Sequence, residues 1–236
     1  MQLQLLPWLV AALVAFTSAT ATATQNGTQI QGIDLFEIHL PVNYNAAAAK
    51  GVEFVYVKAT EGLHHHNLRF ASQTRGAVKA GLFHGAVHFA LASKSSGAEQ
   101  AEFFINHGGN WTADGKTLPG VLEMEGNIAG KLCHGMNSTE ITDWMADFSN
   151  TYKKHTGRPP MLFLSKKWWT QCAGDDGSLA KEHPLWLANW NDETGDLPVG
   201  WEKAHFWQYS GFSSHGGEAD VFLGSLQELR RFALDH

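Results

Sequence analysis

Short apolar runs alternate with longer amphipathic segments along most of this chain. Apolar runs bounded by Gly, Pro or polar residues predict buried strands, whereas apolar residues three and four positions apart predict helices. The predicted strands are residues 30–36, 54–62, 82–91, 121–125, 161–165, 184–190, 205–210 and 220–222. The predicted helices are residues 42–50, 70–80, 96–106, 138–155 and 226–234.

Strands that alternate with helices predict an α/β fold with a mainly parallel sheet. About eight such strands favour a closed, TIM-like barrel, in which polar residues at strand ends gather on one face. The last third has short strands with little helix between them, so we expect an irregular (β/α) barrel that forms one domain over residues 24–236. An open doubly wound sheet is the alternative, but no Gly-rich phosphate loop follows the first strand.

Two acids, Glu123 and Glu125, lie two positions apart at the end of an apolar strand. Residues i and i+2 of a strand point to the same face, so both carboxyls would project into one place. Like charges held close raise one pKa, which keeps a carboxylic acid protonated at its working pH. The alternative is a pair of acids at a surface strand edge.

Polar residues also end most of the other predicted strands, and a barrel would bring them to one mouth. They are Asp34, Glu61, His88, Asn189, Gln208, Tyr209 and Asp220. A mouth that is rich in carboxylates and aromatic rings suits a sugar, and two acids can divide the work of glycoside cleavage. The sequence leaves both stereochemical courses of that reaction open.

The N-terminus has the pattern of a cleaved secretion signal, residues 1–23. An apolar run over residues 5–16 precedes small residues with cleavage sites after Ala21 or Ala23, and it is too short to span a bilayer comfortably. A signal anchor is the alternative. Two cysteines, Cys133 and Cys172, favour a disulfide in a secreted chain. Three glycosylation sequons favour the same compartment, at Asn26, Asn110 and Asn137.

The composition is that of a globular protein, with 44% hydrophobic and 17% charged residues and a formal charge of -6. No basic patch stands out, so we expect no nucleic-acid partner. No later apolar run is long enough for a membrane span, and we expect a monomer. The run His64-His65-His66 cannot place all three rings around one ion from a strand, so we expect no metal. No cofactor is expected.

Several short motifs follow one another along the chain. They are Gly32-Ile33-Asp34, Val57-Lys58-Ala59-Thr60-Glu61-Gly62, Ala86-Val87-His88-Phe89, Gln100-Ala101-Glu102-Phe103-Phe104, Phe206-Trp207-Gln208-Tyr209 and Asp220. In this order they resemble the motifs of the Chalaropsis-type fungal lysozymes of glycoside hydrolase family 25. The resemblance runs from about Gln31 to the C-terminus, and its Lys-Ala-Thr-Glu-Gly segment is quite specific.

The resemblance implies an irregular barrel that hydrolyses the β-1,4 bond between N-acetylmuramic acid and N-acetylglucosamine in peptidoglycan without a cofactor. The family's Asp-x-Glu signature falls on Glu123-Met124-Glu125. By position, Glu125 would be the general acid, and Glu123 would stabilise or attack the anomeric centre. Asp34 and Asp220 would be supporting catalytic carboxylates. Five residues are expected to bind substrate: Glu61, His88, Gln208, Tyr209 and Asn189. The fungal branch also implies the Cys133–Cys172 disulfide.

The chain departs from the family pattern at positions that belong to the mouth. Glu123 replaces the usual Asp and places its carboxylate one methylene further out, and Val87 replaces a Tyr. A displacement of about 1 Å at a reacting centre can cost ~10²-fold in rate. Three hypotheses therefore stay open: a muramidase, a catalytically impaired relative that binds glycans, and a glycosidase with another amino-sugar substrate.

Overall fold

A computed structural model describes residues 29–126 and 130–235. Eight of its nine strands close into a barrel in the order β1, β2, β4, β5, β6, β7, β8, β9. The strands are β1 Ile30–Leu35, β2 Val52–Glu61, β3 His65–His66, β4 Phe83–Phe89, β5 Val121–Glu123, β6 Met161–Leu164, β7 Leu185–Ala188, β8 Phe206–Ser210 and β9 Glu218–Phe222. The predicted irregular α/β barrel is confirmed.

Most of the barrel is parallel, and only its last strand reverses direction. β1, β2 and β4 to β8 form six consecutive parallel pairs. β9 runs antiparallel to both β8 and β1 and thereby closes the barrel. The short strand β3 pairs only with the end of β2. Because β9 is reversed, its first residues lie at the mouth, where the other barrel strands end.

The helices cover the first two thirds of the barrel more completely than the last third. They are α1 Tyr44–Ala49, α2 Phe70–Lys79, α3 Gly97–Phe104, α4 Ser138–Thr156, α5 Lys166–Trp168 and α6 Leu226–Leu234. Two π-helical turns, Ile105–Gly109 and Trp169–Ala173, extend α3 and α5. No α-helix separates β7 from β8 or β8 from β9 in the described chain, as the short predicted connections indicated.

The strand alternation divides the core into an inner and an outer part. Large aromatic side chains fill the barrel interior, including Tyr56, Trp186 and Phe206. An outer core lies between the barrel and α3 and α4. Burial on both faces explains why the parallel strands read as continuous apolar runs in the sequence.

The start of β5 is fixed by a glycine and a buried tyrosine. Gly120 N donates to Tyr152 Oη, and this hydroxyl donates in turn to Gly109 O, both at 2.9 Å. A Cβ at Gly120 would lie 2.5 Å from Tyr152 Oη, so only glycine fits without a shift. Tyr152 of α4 therefore fixes the backbone position at the start of β5, three residues before Glu123.

Most predicted boundaries differ from the structure by one or two residues, and two of these differences lie at the carboxyl-lined end of the barrel. β5 ends at Glu123 rather than at Glu125, although the Met124 N–H still donates to Phe163 O. β9 begins at Glu218, two residues before its predicted start, because it extends along β1 as far as Asp34. A period-two pattern is hard to locate in the glycine-rich segment that precedes β9.

Several expectations concern the ends of the chain or its surface. The predicted secretion signal, residues 1–23, and the sequon at Asn26 lie outside the described residues. Asn110 and Asn137 are both exposed, and Asn137 caps the N-terminus of α4. Across residues 29–126 and 130–235, no helix combines the length and the apolar character needed to cross a membrane.

Candidate active site

Glu123 and Glu125 enter the barrel mouth because the strand alternation continues past the end of β5. Val121 contributes to the inner core, whereas Leu122 and Met124 contribute to the outer core. Glu123 therefore points inward, and Glu125 follows on the same side. Glu123 is only 6% exposed, and Glu125 is half-buried. The two carboxyls thus occupy one opening, with Glu123 deeper and Glu125 nearer to solvent.

The position of the pair makes both carboxyls hold their protons strongly. Burial, and then the charge of Glu125, raises the pKa of Glu123 well above the ordinary glutamate value. Burial, and then the charge of Asp34, raises the pKa of Glu125. Two interacting carboxyls titrate as a unit, so the pair keeps at least one proton in mildly acidic solution. Such a pair can supply a general acid.

Lys58 is the cation that faces this pair. It points inward from β2, with its Nζ 4.4 Å from the centre of the Phe89 ring. Its charge lowers the pKa of both Glu123 and Glu125, against the effect of burial. Its Nζ also donates to Glu61 Oε2 at 2.5 Å. The structure therefore places Glu61 in the mouth as the partner of Lys58.

Asp34 and Asp220 lie on neighbouring antiparallel strands beneath the opening. Asp34 is the penultimate residue of β1 and is 4% exposed, and Asp220 on β9 is fully buried. Burial raises the pKa of Asp34 to about 6, although hydrogen bonds from Asp220 and Gln208 lower it. Burial, and then the charge of Asp34, raises the pKa of Asp220 well above its ordinary value. Trp186 Nε1 donates to Asp220 Oδ1 at 3.1 Å and fixes this carboxyl.

Gln208 connects the β8 side of the mouth to the carboxyls. Its Nε2 donates to Asp34 Oδ2 at 2.9 Å and to Glu218 Oε2 at 2.7 Å. Its Oε1 accepts from Trp190 Nε1 at 2.8 Å. The amide group thus binds two carboxyls and one indole, and its orientation is determined by all three.

Sequence reasoning missed three members of this mouth: Lys58, Trp190 and Glu218. Glu218 lies directly opposite Asp34 in the β1–β9 ladder. Burial, and then the charges of Asp34 and Glu125, raises its pKa to about 8. The period-two rule applied backwards from Asp220 would have found Glu218, since both residues occupy the same face of one strand.

Two predicted substrate-binding residues, His88 and Tyr209, do not point into the opening, and a third, Asn189, lies beside it. His88 is fully buried on the outer side of β4, where Nε2 donates to Gln100 Oε1 at 2.9 Å and Nδ1 accepts from Thr60 at 2.8 Å. Burial lowers the pKa of His88 to about 4, so it stays neutral. Tyr209 Oη bonds Gln31, an exposed residue of β1, at 3.3 Å. This geometry gives no support to substrate contact by His88 or Tyr209.

Asn189, the third of these residues, orders the loop that follows β7. Its Nδ2 donates to the backbone carbonyls of Glu193 and Thr194 at 3.0 and 2.8 Å. Asn189 also lines a surface cavity of about 460 Å³ beside α5. Its observed role is therefore to shape the loop that carries Trp190.

A disulfide-linked loop supports Glu125 from outside the barrel. His134 Nε2 donates to Glu125 O at 3.0 Å. The predicted disulfide between Cys133 and Cys172 is present and joins this loop to the π-helical turn after α5. Trp168 Nε1 donates to Leu132 O at 3.1 Å and adds a second attachment. The backbone of the candidate acid is thus attached to the disulfide-linked loop.

The histidine run does not form a metal site among the described residues. His65 Nε2 lies 3.5 Å from Glu37 Oε2, and the His66 ring stacks obliquely near His107. No group of three or more His, Cys, Asp and Glu residues in residues 29–126 and 130–235 could hold a metal ion.

Comparisons with known proteins identify one family and a similar fold. The model of the family "Glycosyl hydrolases family 25" matches residues 33–218. N,O-diacetylmuramidase of Chalaropsis sp is 37% identical over 86% of this chain and 99% of that protein. Lysozyme M1 of Streptomyces globisporus is also 37% identical, over 86% of this chain and 71% of that protein. The muramidase structure from Acremonium alcalophilum superposes with a TM-score of 0.86 and 39% identity, covering 88% of this chain and all of that one.

Proposed function

The chain belongs to glycosyl hydrolases family 25, and from this premise we propose that it is a secreted lysozyme that acts on bacterial peptidoglycan. The bond cleaved is the β-1,4 bond between N-acetylmuramic acid and N-acetylglucosamine. One observation carries this proposal: a carboxyl pair, Glu123 and Glu125, lies in an open barrel mouth with raised pKa values and one facing lysine. The relatives of known activity named above are muramidases and a lysozyme.

Glu125 acts as the general acid. It is the more exposed member of the pair and therefore the one that reaches the glycosidic oxygen. Its proton passes to that oxygen as the bond to the anomeric carbon breaks, so that the sugar leaves as an alcohol. A carboxyl with a raised pKa keeps this proton in mildly acidic solution.

Glu123 stabilises or attacks the anomeric carbon from its deeper position. Positive charge develops there as the glycosidic bond breaks, and a nearby positive charge favours the ionised form of a carboxyl. In the free protein the pKa of Glu123 is raised more strongly than that of Glu125, so the shared proton lies on Glu123. As positive charge develops at the anomeric carbon, Glu123 ionises and the proton of the pair moves to Glu125. Glu123 Oε2 is buried and has no hydrogen-bond partner within the described chain, which leaves it available to this centre.

The remaining groups tune the pair. The negative charge of Asp34 raises the pKa of Glu125, and Lys58 limits how far the pKa values of both glutamates rise. Asp220 and Gln208 hold Asp34 in place. Water completes the reaction by taking the place of the departed sugar at the anomeric carbon, which returns one proton to the site.

The compartment follows from three features of the sequence. The signal-like N-terminus, the sequons and the disulfide all fit an extracellular protein. Asn110 and Asn137 are exposed and could accept glycans without disturbing the core. The proposed partner is the bacterial cell wall, and its lysis would be antimicrobial.

The test is the chemical identity of the ends that the protein creates in peptidoglycan. Purified cell walls are digested, and new reducing ends are reduced with borohydride and identified by mass spectrometry. We expect reduced N-acetylmuramic acid, with Glu125→Gln as the inactive control. Reduced N-acetylglucosamine would contradict the assigned bond, and the absence of any new ends would favour a glycan-binding relative without turnover.

A further inference from the structure

Glu218 and Trp190 flank Gln208 on one side of the mouth, and both are more accessible than the aspartates nearby. Trp190 is 62% exposed, and Glu218 is half-buried, whereas Asp34 and Asp220 are almost completely covered. Because β9 is antiparallel, Glu218 stands at its mouth end, two residues above Asp220. These two side chains therefore border the opening.

Their relative position is set by Gln208. The Trp190 indole donates to Gln208 Oε1 at 2.8 Å, and Gln208 Nε2 donates to Glu218 Oε2 at 2.7 Å. Gly211 lies under the indole, where an added Cβ would come within 2.7 Å of Trp190 Cη2. An exposed tryptophan that is held in this way loses little freedom when a ligand packs on it.

Burial and the nearby carboxylates favour the neutral, protonated form of the Glu218 carboxyl. The charged and titratable groups around the mouth are Asp34 on β1, Lys58 and Glu61 on β2, Glu123 and Glu125 at the end of β5, and Asp220 on the same strand as Glu218. Burial, and then the charges of Asp34 and Glu125, raises the pKa of Glu218 to about 8, although Gln208 lowers it. A neutral carboxyl can donate one hydrogen bond and accept others, as a sugar hydroxyl or amide requires.

We propose that Glu218 and Trp190 form a sugar subsite beside the catalytic pair. Trp190 stacks on the face of one pyranose ring, and Glu218 hydrogen bonds a hydroxyl or N-acetyl group of that ring through Oε1, the oxygen that Gln208 does not use. The inference rests on the proposed function, because it takes the ligand to be an amino-sugar glycan. Glu123 Oε2, for which the described part of the chain offers no hydrogen-bond partner, marks the adjoining position for the reacting ring.

Binding measured without turnover tests this subsite. In a Glu125→Gln background, titration calorimetry at pH 6 follows two probes: a tetrasaccharide of alternating N-acetylglucosamine and N-acetylmuramic acid, and a chitin tetrasaccharide. Adding Trp190→Ala should weaken binding of at least one probe by about tenfold, and Glu218→Ala by about fivefold. Adding Glu218→Gln should keep the affinity within about twofold, because an amide also both donates and accepts.

The control is Glu202→Gln, which removes one exposed negative charge from the loop before β8 and should leave the affinity unchanged. Melting temperatures of all variants confirm that each one is folded. Unchanged affinity for both probes in Trp190→Ala and Glu218→Ala would overturn the subsite. Cleavage of the tetrasaccharide by the Glu125→Gln background would instead contradict the acid assignment, and it would show as new products in the calorimeter cell.

Discussion

The mouth of the barrel contains many more carboxyl groups than positively charged groups. Among residues 29–126 and 130–235, five inward carboxyls have raised pKa values, and one lysine faces the central pair. The carboxyls are Asp34, Glu123, Glu125, Glu218 and Asp220. Burial is the largest cause in each case, so the barrel wall itself keeps protons in the site. The charge of Lys58 opposes this effect and lowers the pKa values of Glu123 and Glu125.

Replacement of Lys58 by Met should move the pH profile of kcat/KM to higher pH. Lys58 lowers the pKa of Glu123 and Glu125, so its loss raises both, and unpaired Glu61 adds negative charge in the same direction. We expect the acidic and the basic limb of the profile each to shift to higher pH by roughly half a unit or more. Lys94→Met, at an exposed position, is the control for net charge. A profile that stays in place would contradict the role of Lys58.

The length of the Glu123 side chain is tested by Glu123→Asp. Since the proposed mechanism uses the Glu123 carboxylate, the shorter side chain should withdraw this group by about 1 Å and lower kcat by ~10²-fold. The melting temperature is measured beside the rate, since the variant shortens a buried side chain. A rate above that of the wild type would show that the site prefers the family's usual aspartate.

Residue identities in the mouth were only partly predictable from sequence. Position near the end of a predicted strand identified four residues that the structure brings together: Asp34, Glu123, Glu125 and Gln208. His88 also ends a strand, but it belongs to the opposite face, and the sequence alone does not say which face is the mouth. Lys58 was missed because a lysine inside an apolar strand reads as a solvent-facing residue.

Among the elements, the loop of residues 130–137 has the clearest connection to function. It carries His134, which bonds the Glu125 carbonyl, and Cys133, whose disulfide fixes the loop to the turn after α5. This loop has no predictable secondary structure. Its importance follows from contacts that join residues 39 positions apart in the chain, and no local pattern records them.

Removal of the disulfide by Cys133→Ala with Cys172→Ala should affect both stability and rate. In the chain-entropy model, a loop of this length stabilises by about 4 kcal/mol, which corresponds to a fall in Tm of roughly 10 °C for a chain of this size. The rate at 25 °C should also fall, because the support of Glu125 loosens. His134→Ala is the matched variant, and it should lower the rate with a smaller change in Tm. A double variant with the wild-type rate would contradict the supporting role of the loop.

For the whole molecule, the closed barrel was predictable and its reversed last strand was not. Alternating strands and helices identify most of the parallel part, and the family motifs give its order. The direction of β9 depends on pairing with β1, which is distant in sequence, and the short segment before it permits either direction. That reversal brings Glu218 to the mouth, directly opposite Asp34.

The stability of the whole molecule should fall as the pH rises from 6.5 to 8. The pKa of Glu218 is raised from 4.5 to about 8, so the stability it contributes is complete below 4.5 and is lost as the pH rises to 8. The pKa values of His88 and His205 are lowered to about 4, so these residues make stability increase with pH. That increase ends near pH 6.5 and does not affect the range above it. Tm measured by calorimetry should therefore decrease over this range, and it should decrease less in Glu218→Gln. A Tm that rises from pH 6.5 to 8 would contradict the raised carboxyl pKa values.

The most direct test of Glu125 as the general acid compares the rates of the wild type and the Glu125→Gln variant on two substrates. Peptidoglycan has a poor leaving group that needs a proton, whereas a nitrophenyl β-glycoside of an N-acetylmuramic acid oligosaccharide has a leaving group that does not. If Glu125 is the general acid, its loss should reduce peptidoglycan hydrolysis by about 10³-fold and nitrophenol release by less than about tenfold. Equal loss on both substrates, or continued peptidoglycan hydrolysis, would contradict the assignment.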